Sequence, residues 1–175
     1  APMSTIAGQL AFVVGSYHLL KHNKGKGVMI GHMDDMDPRV VTVIGAGVAG
    51  TQSILKAIDN KALVKVVDSS QSKLDDLKSK YGTENVEYIL SSKDSIQVSV
   101  NESDLVIGSV YVVGKEAPKV VTKDMLSSMN PGTVMVDVSI DQGGCFETSK
   151  PTTHDSPTFL ENDIVHYCVT NMPGA

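Results

Sequence analysis

A doubly wound α/β domain, a parallel sheet with helices on both faces and one helix ahead of it, is the fold that these 175 residues predict. Three observations predict it. Short β-branched runs alternate with amphipathic stretches along most of the chain, the pattern of a parallel sheet covered on both sides. The first central run opens directly onto closely spaced glycines in VTVIGAGVAGTQS, Val41 to Ser53. No linker rich in proline or serine and no internal repeat divides the chain, and its length suits a single domain over residues 1–175.

The elements follow in order. Ile6, Leu10, Val13, Val14, Tyr17 and Leu20 recur at helical spacing and predict a helix over 3–22, with Ser4 or Thr5 to cap it. Gly8 and Gly15 weaken that helix and give a neighbour room to approach closely. The apolar stripe suits either packing on the domain or an interface. NKGKGVMIGHMDDMDP reads as a loop leading into the core over 40–171. Strands are predicted at Val40 to Ile44, Val64 to Val67, Val86 to Ile89, Leu105 to Val110, Val134 to Val138 and Ile164 to Val169. Helices are predicted at Ala49 to Asn60, Ser70 to Lys80, Lys93 to Asn101 and Thr122 to Met129.

Composition narrows the function. The formal net charge of −5 offers no field to attract nucleic acid phosphates. No uninterrupted apolar run is long enough for a membrane span, and no basic segment followed by an apolar one marks a signal peptide. Cys145 and Cys168 lie too far apart for a metal knuckle, and the five histidines form no local metal motif. A reducing compartment, the cytoplasm, and no metal are therefore expected.

GAGVAG carries the chemistry. Gly45 permits a sharp turn off the strand, Gly47 lets backbone approach a diphosphate, and Gly50 lets the next helix lie close to the sheet. Amides at that helix start, Val48 first among them, then face the phosphate charge. A second strand ends in Asp68, 23 residues beyond Gly45. A carboxylate there accepts ribose hydroxyls and repels a 2′-phosphate, so NAD is favoured over NADP. Strand, glycine turn, helix, strand and acid together make a Rossmann-like dinucleotide site. Lys73, early in the next helix, either balances charge near Asp68 or is a solvated lysine.

Later strand ends supply further candidates. Ser109 and Val110 close the strand expected beside the dinucleotide, and Asp141 follows the apolar MVDVSI run ahead of a Gly143–Gly144 turn. Asp141 suits an amine-bearing substrate, the nicotinamide ribose or a loop cap. Asn171 has the donor and acceptor to hold a ligand at the last strand end, and Met172 either packs on a nicotinamide ring or fills the core. Cys145, His166 and Cys168 read as core residues, and His154 as a turn residue that could also act as a base.

AGQLAFVVGSYHLL, VTVIGAGVAG, DLVIGSVYVVGKEAPKVV, MVDVSIDQGGCFETSKPTTHDSPTF and VHYCVTNMPGA together resemble the alanine dehydrogenases over almost the whole chain. The NAD-binding portion of proton-translocating transhydrogenase is the related alternative; a stand-alone regulatory or assembly module that binds nucleotide is another. The resemblance implies NAD bound by Gly45, Gly47, Val48, Gly50, Asp68, Lys73, Ser109, Val110, Asn171 and Met172, with Asp141 as the active-site aspartate. It also implies reversible oxidative deamination of L-alanine to pyruvate and ammonia, and homo-oligomers, usually hexamers in bacteria. Family members carry an N-terminal substrate domain that supplies a lysine and a histidine, for which these residues offer no matching position. The expectation is a chain that binds NAD(H) but alone turns over alanine negligibly. Two smaller departures from the family pattern are Asn60-Lys61-Ala62, where a glycine is common, and the acidic loop HMDDMDP.

Overall fold

The computed structural model describes residues 2–31 and 37–174; most of the HMDDMDP loop, residues 32–36, lies outside them. Among the described residues, five helices and seven strands are ordered α1 (Pro2–His18), β1 (Val40–Ile44), α2 (Val48–Asp59), β2 (Leu63–Asp68), α3 (Gln71–Tyr81), β3 (Val86–Leu90), α4 (Lys93–Glu102), β4 (Leu105–Gly108), α5 (Lys123–Leu126), β5 (Val134–Asp137), β6 (Thr158–Glu161) and β7 (Ile164–Tyr167). Short 3-10 turns lie at Lys21–Asn23, Ile140–Gln142 and Met172–Gly174.

The strands form one sheet in the order β3-β2-β1-β4-β5-β7-β6, parallel except where β6 pairs antiparallel with β7. Side chains alternate between the faces, as strand geometry requires. Val41, Val43, Val64, Val66, Leu105, Ile107, Val134 and Val136 pack with α1, α2 and α3. Ile44, Val67, Val106 and Met135 pack with α4 and α5 on the other side. The chain thus winds outward from β1 to β3 over one face, crosses back along α4, and continues through β4 and β5. The order reverses between β1 and β4, so their carboxyl ends diverge and leave a crevice there.

β6 is an addition to the expected strands, since PTTHDSPTF reads as loop. Its partner is reached through Asn162 and Asp163, whose φ angles of 52° and 62° are those of a two-residue hairpin turn. An Asn-Asp pair between two apolar runs was the local signal for it.

The structure corrects the reading of α1 in three ways. It ends at His18 rather than His22, because the chain doubles back and Gly25 and Gly27 N–H groups take the Leu20 and Leu19 carbonyls. Ser4 and Thr5 are inside the helix and not at its cap, since Pro2 already occupies its first position, where a missing N–H costs nothing. The packed face is Ala7, Gly8, Ala11, Phe12, Gly15 and His18, while Ile6, Val13 and Tyr17 of the expected stripe point outward at 44%, 52% and 54% exposure. Close approach decides this. A Cβ on Gly8 would lie 2.1 Å from the Ala49 carbonyl oxygen, and Ser53 Oγ on α2 donates to the Gly8 carbonyl at 2.6 Å. A side chain at Gly8 would push α1 off α2.

Past the end of α2, Lys61, in the Asn60-Lys61-Ala62 turn, takes a left-handed φ of 62°. The strained residue lies at the far end of the helix, and the turn at its start keeps its form.

Candidate functional site

Gly45 leaves β1 at φ 97°, and a Cβ there would sit 2.1 Å from the Ser109 carbonyl oxygen. Gly50 is just as confined, its Cβ position lying 1.8 Å from the Gly45 carbonyl oxygen. These two glycines are required by the fold itself. Gly47 differs: its backbone is extended, and a Cβ would meet nothing within 4 Å. Neither strain nor crowding inside the protein calls for glycine there, so the open space beside it argues for a ligand that comes close to the backbone.

The amides of the turn divide in the same way. Gly45 N–H donates to the Val67 carbonyl at 2.8 Å, and Ala46 N–H donates to Asp68 Oδ1 at 2.8 Å. The helix proper begins with Thr51 N–H on the Gly47 carbonyl at 2.9 Å, and no side chain caps α2. Amides of Val48, Ala49 and Gly50 therefore stand without intrahelical acceptors at the positive end of a twelve-residue helix. They suit a diphosphate.

They open onto a cleft of about 490 Å³ between the β1 turn and the ends of β4 and β5. Gly47, Val48 and Ala49 form one wall, Ser109, Val110 and Tyr111 another, and Val138, Ser139 and Gln142 a third; Ser4 reaches in from α1. Val110 and Ser139 are clasped in both directions: Ser139 Oγ donates to the Val110 carbonyl at 2.8 Å and accepts from Val110 N–H at 2.9 Å. A second cavity of about 520 Å³ adjoins the first, sharing Tyr111 and Gln142 with it, and Asp141 lines it together with Lys115 and Glu116.

Asp68 closes the other end of the site. It is only 8% exposed, and its second oxygen, Oδ2, accepts from Ser70 N–H at 2.9 Å. A carboxylate has about four acceptor positions, so one on each oxygen stays available to ribose hydroxyls. Lys73 is exposed on the first turn of α3, its backbone N–H held by the Ser70 hydroxyl.

Beneath the Asp141 turn lies Asp137, wholly buried at the end of β5. It accepts from Ser139 N–H (3.0 Å), Cys145 N–H (2.9 Å), Phe146 N–H (3.3 Å) and Ser149 Oγ (2.5 Å). Burial pushes its carboxyl above the ordinary range, with those donors pulling the other way. Burial likewise raises both thiols, Cys168 to about 11, so neither is a ready thiolate. His166 is buried between Thr148 and the Ile164 carbonyl. The core reading of Cys145, His166 and Cys168 thus matches their burial. His154 is exposed, with Nε2 3.2 Å from the Asn171 carbonyl.

The structure therefore gathers Gly45, Gly47, Val48, Gly50, Asp68, Ser109 and Val110 around one crevice and sets Asp141 in the adjoining cavity. Asn171 and Met172 lie in the C-terminal turn and line neither cavity. Asn171 is exposed at φ 53°, and Met172 is buried in the core beneath α1. Sequence reasoning missed Ser4, Ala49, Val138, Ser139 and Gln142 as lining residues. Gln142 adjoins Asp141 and was within reach of a local reading. Ser4 carried no signal, because only the packing of α1 across α2 brings it to the cleft.

Comparison with known proteins agrees with this geometry. The family model for the alanine dehydrogenase/PNT C-terminal domain matches residues 11–175. The alanine dehydrogenase of Halomonas elongata is 49% identical over 175 residues, covering 100% of this chain and 47% of that protein. That of Mycolicibacterium smegmatis is 46% identical with the same coverage. Among solved structures, an L-alanine dehydrogenase superposes with a TM-score of 0.95 at 40% identity, over 99% of this chain and 48% of that one. A transhydrogenase from Sinorhizobium meliloti superposes at 0.83 with 23% identity, over 98% of this chain and 49% of that one, which shows the shared fold. The chain spans about half the length of the curated relatives it matches. On the extent of the family match and the level of identity, the chain belongs to the alanine dehydrogenase/PNT C-terminal domain family.

Proposed function

We propose that this chain is the NAD(H)-binding domain of an alanine dehydrogenase, working in the interconversion of L-alanine with pyruvate and ammonia. The observation that carries the reading is the uncapped start of α2 facing open space at Gly47, with Asp68 at the next strand end. The amides of Val48, Ala49 and Gly50 would hold the diphosphate and Asp68 the adenosine ribose, while Ser109, Val110 and Ser139 wall the path toward the nicotinamide side. Bound NAD supplies a hydride acceptor. The chain's own task is to hold the dinucleotide along the crevice and to present Asp141 in the neighbouring cavity, where its carboxylate would orient an amine-bearing substrate. Asn171, Met172 and Lys73 are carried by the family resemblance and not by their placement around the cleft.

The substrate carboxylate clamp and the acid or base that serves the amine have no counterpart among these 175 residues, so they would come from a substrate domain. We assign the protein to the cytoplasm. Both cysteines stand free and buried, and among the described residues no helix is long and apolar enough to cross a membrane. A homo-oligomer is proposed from α1, whose outward face carries Met3, Ile6, Val13 and Tyr17 and whose length, Pro2–His18, holds no Asp, Glu, Lys or Arg. Sedimentation of Val13→Glu beside the unaltered chain tests this, with an unchanged sedimentation coefficient counting against it.

Titration with NADH, followed by ligand fluorescence or calorimetry, tests the central reading. Saturable binding below the millimolar range is expected; none at that concentration overturns it. The same sample given alanine and NAD is expected to show negligible turnover.

A further inference from the structure

The carboxylate of Asp68 stands where two loops meet. Its Oδ1 accepts from Ala46 N–H, in the turn between β1 and α2, and its Oδ2 accepts from Ser70 N–H, in the turn between β2 and α3. Its backbone carbonyl takes Ser91 N–H at 2.9 Å, from the loop that follows β3. Three successive crossovers thus converge on one residue, and two of the three ties depend on its side chain.

Ala46 lies between Gly45, at φ 97°, and Gly47, which touches nothing through its Cα substituent. With glycine on either side, the buried Ala46 methyl is the only side chain that packs this stretch of the turn into the core. The Gly45 amide is held by Val67 of the neighbouring strand. Past that bond, the Ala46 carbonyl accepts from the Thr51 hydroxyl at a longer 3.3 Å, while the Ala46 amide is held at 2.8 Å by the Asp68 carboxylate. A hydrogen bond to an ionised acceptor is roughly twice as strong as a neutral one, and burial of this carboxylate keeps water from competing for it.

We propose that Asp68 is a positioning residue for the phosphate turn as well as the ribose acceptor, so that one carboxylate couples the two halves of the dinucleotide site. The proposal rests on the dinucleotide reading of the cleft and adds a mechanism to it. The Ala46 bond aims the Val48, Ala49 and Gly50 amides at the diphosphate, while the remaining acceptor position on each oxygen serves the sugar. Exchanging Asp68 to admit a 2′-phosphate would therefore loosen the diphosphate grip, unless another acceptor took up the Ala46 amide.

The test separates the two roles by removing the ribose hydroxyls from the ligand. The unaltered chain and Asp68→Ala are titrated with NADH and with an NADH analogue built on 2′,3′-dideoxyadenosine. Were Asp68 only a sugar acceptor, Asp68→Ala and the unaltered chain would bind the analogue equally, and that equality overturns the proposal. The expected result is that Asp68→Ala binds the analogue at least tenfold more weakly, or not measurably, while retaining a cooperative melt. A second measurement needs no variant. In the unaltered chain, the Ala46 amide proton shift is followed by NMR as the Asp68 carboxyl is titrated with acid. The Ala46 shift is expected to move with the carboxyl carbon signal of Asp68, and an Ala46 amide that ignores that titration overturns the proposal. This decides the matter if Asp68→Ala fails to fold or the analogue binds too weakly to measure. If the unaltered chain fails to bind NADH at all, the cofactor reading falls, while the Ala46 titration still reports on the latch.

Discussion

The half of the sheet made by β1, β2 and β3 and the half made by β4, β5, β7 and β6 build the same crevice by different means. In the first half, the groups proposed to meet the ligand are backbone amides and one acid, all lying within Gly45 to Ser70. In the second, walls are placed by side chains gripping distant backbone: Ser139 on Val110, Asp137 on Cys145 and Phe146, and Lys119 Nζ on the carbonyls of Gly143 and Gly144. A site made from consecutive backbone shows in the sequence as spacing. One made by long-range side-chain bonds does not.

The sharpest test within the first half sets Gly45 against Gly47. Gly45→Ala places a Cβ 2.1 Å from the Ser109 carbonyl oxygen in a backbone region hostile to side chains. A loss of about 3 kcal/mol or more in urea denaturation is expected, and NADH binding goes with it. Gly47→Ala meets no atom within 4 Å. Its stability is expected to stay within about 1 kcal/mol of the original, while NADH affinity falls tenfold or more. Normal binding by Gly47→Ala would mean that the diphosphate does not pass over that residue.

The matching break in the second half is Asp137→Ala. It leaves the Ser139, Cys145 and Phe146 amides and the Ser149 hydroxyl without their acceptor in a buried place. A cost of about 3 kcal/mol is expected, together with release of the segment that carries Asp141. Hydrogen exchange at Cys145 and Phe146 checks it: amides as protected in the variant as in the parent would show that the segment is held by something else.

Acid reaches the second half through two buried histidines. Burial lowers the pKa of His18, the last residue of α1 and beside Tyr167, and of His166, on β7, below the ordinary 6.5. At His166 the ring is 2.9 Å from the Ile164 carbonyl through Nδ1 and 2.7 Å from the Thr148 hydroxyl through Nε2. The neutral tautomer with its proton on Nδ1 satisfies both contacts. When the folded pKa is the lower one, the unfolded chain binds more protons as pH falls through that interval. The stability these residues give is therefore complete above about 6.5 and drains away as pH falls toward their folded values. Denaturation midpoints at pH 7.5 and 5.5 are expected to fall with acid, and to fall less in His166→Gln. An equal fall in that variant would remove His166 from the explanation.

How far the sequence carried follows from the same contrast. The order of strands and helices from β1 to β5 was legible because periodicity there is strong and each crossover helix is amphipathic. The placement of the glycine turn after β1 and of Asp68 at the end of β2 was legible because it depends on local spacing. α1 misled, since Ile6, Val13 and Tyr17 of its stripe lie outward while Gly8, Gly15, Ala7 and Ala11 lie inward beside Phe12; closeness of approach to α2 outweighed part of the hydrophobic stripe. β6 was hidden in a segment rich in turn formers, with only Asn162-Asp163 to announce it. Ser4 in the cleft wall depends on a helix crossing that no window of residues describes.

The smallest expected effect is also the one that measures how rigid the second half must be. Ser139→Ala removes both bonds to Val110, at 2.8 and 2.9 Å, without disturbing the Ser139 amide that Asp137 holds. The Val110 amide and carbonyl lie at the cleft, where water can replace the hydroxyl, so the stability cost should stay near 1 kcal/mol. The clasp joins the end of β4 to that of β5, and without it the walls on either side of the nicotinamide path move independently. A threefold weaker NADH affinity is expected, with unchanged affinity for ADP-ribose, which reaches the β1 turn and Asp68 but lacks the nicotinamide. Equal loss for both ligands would show that the clasp supports the whole crevice, and the separation between the two halves of the sheet would then fail at the point where they meet.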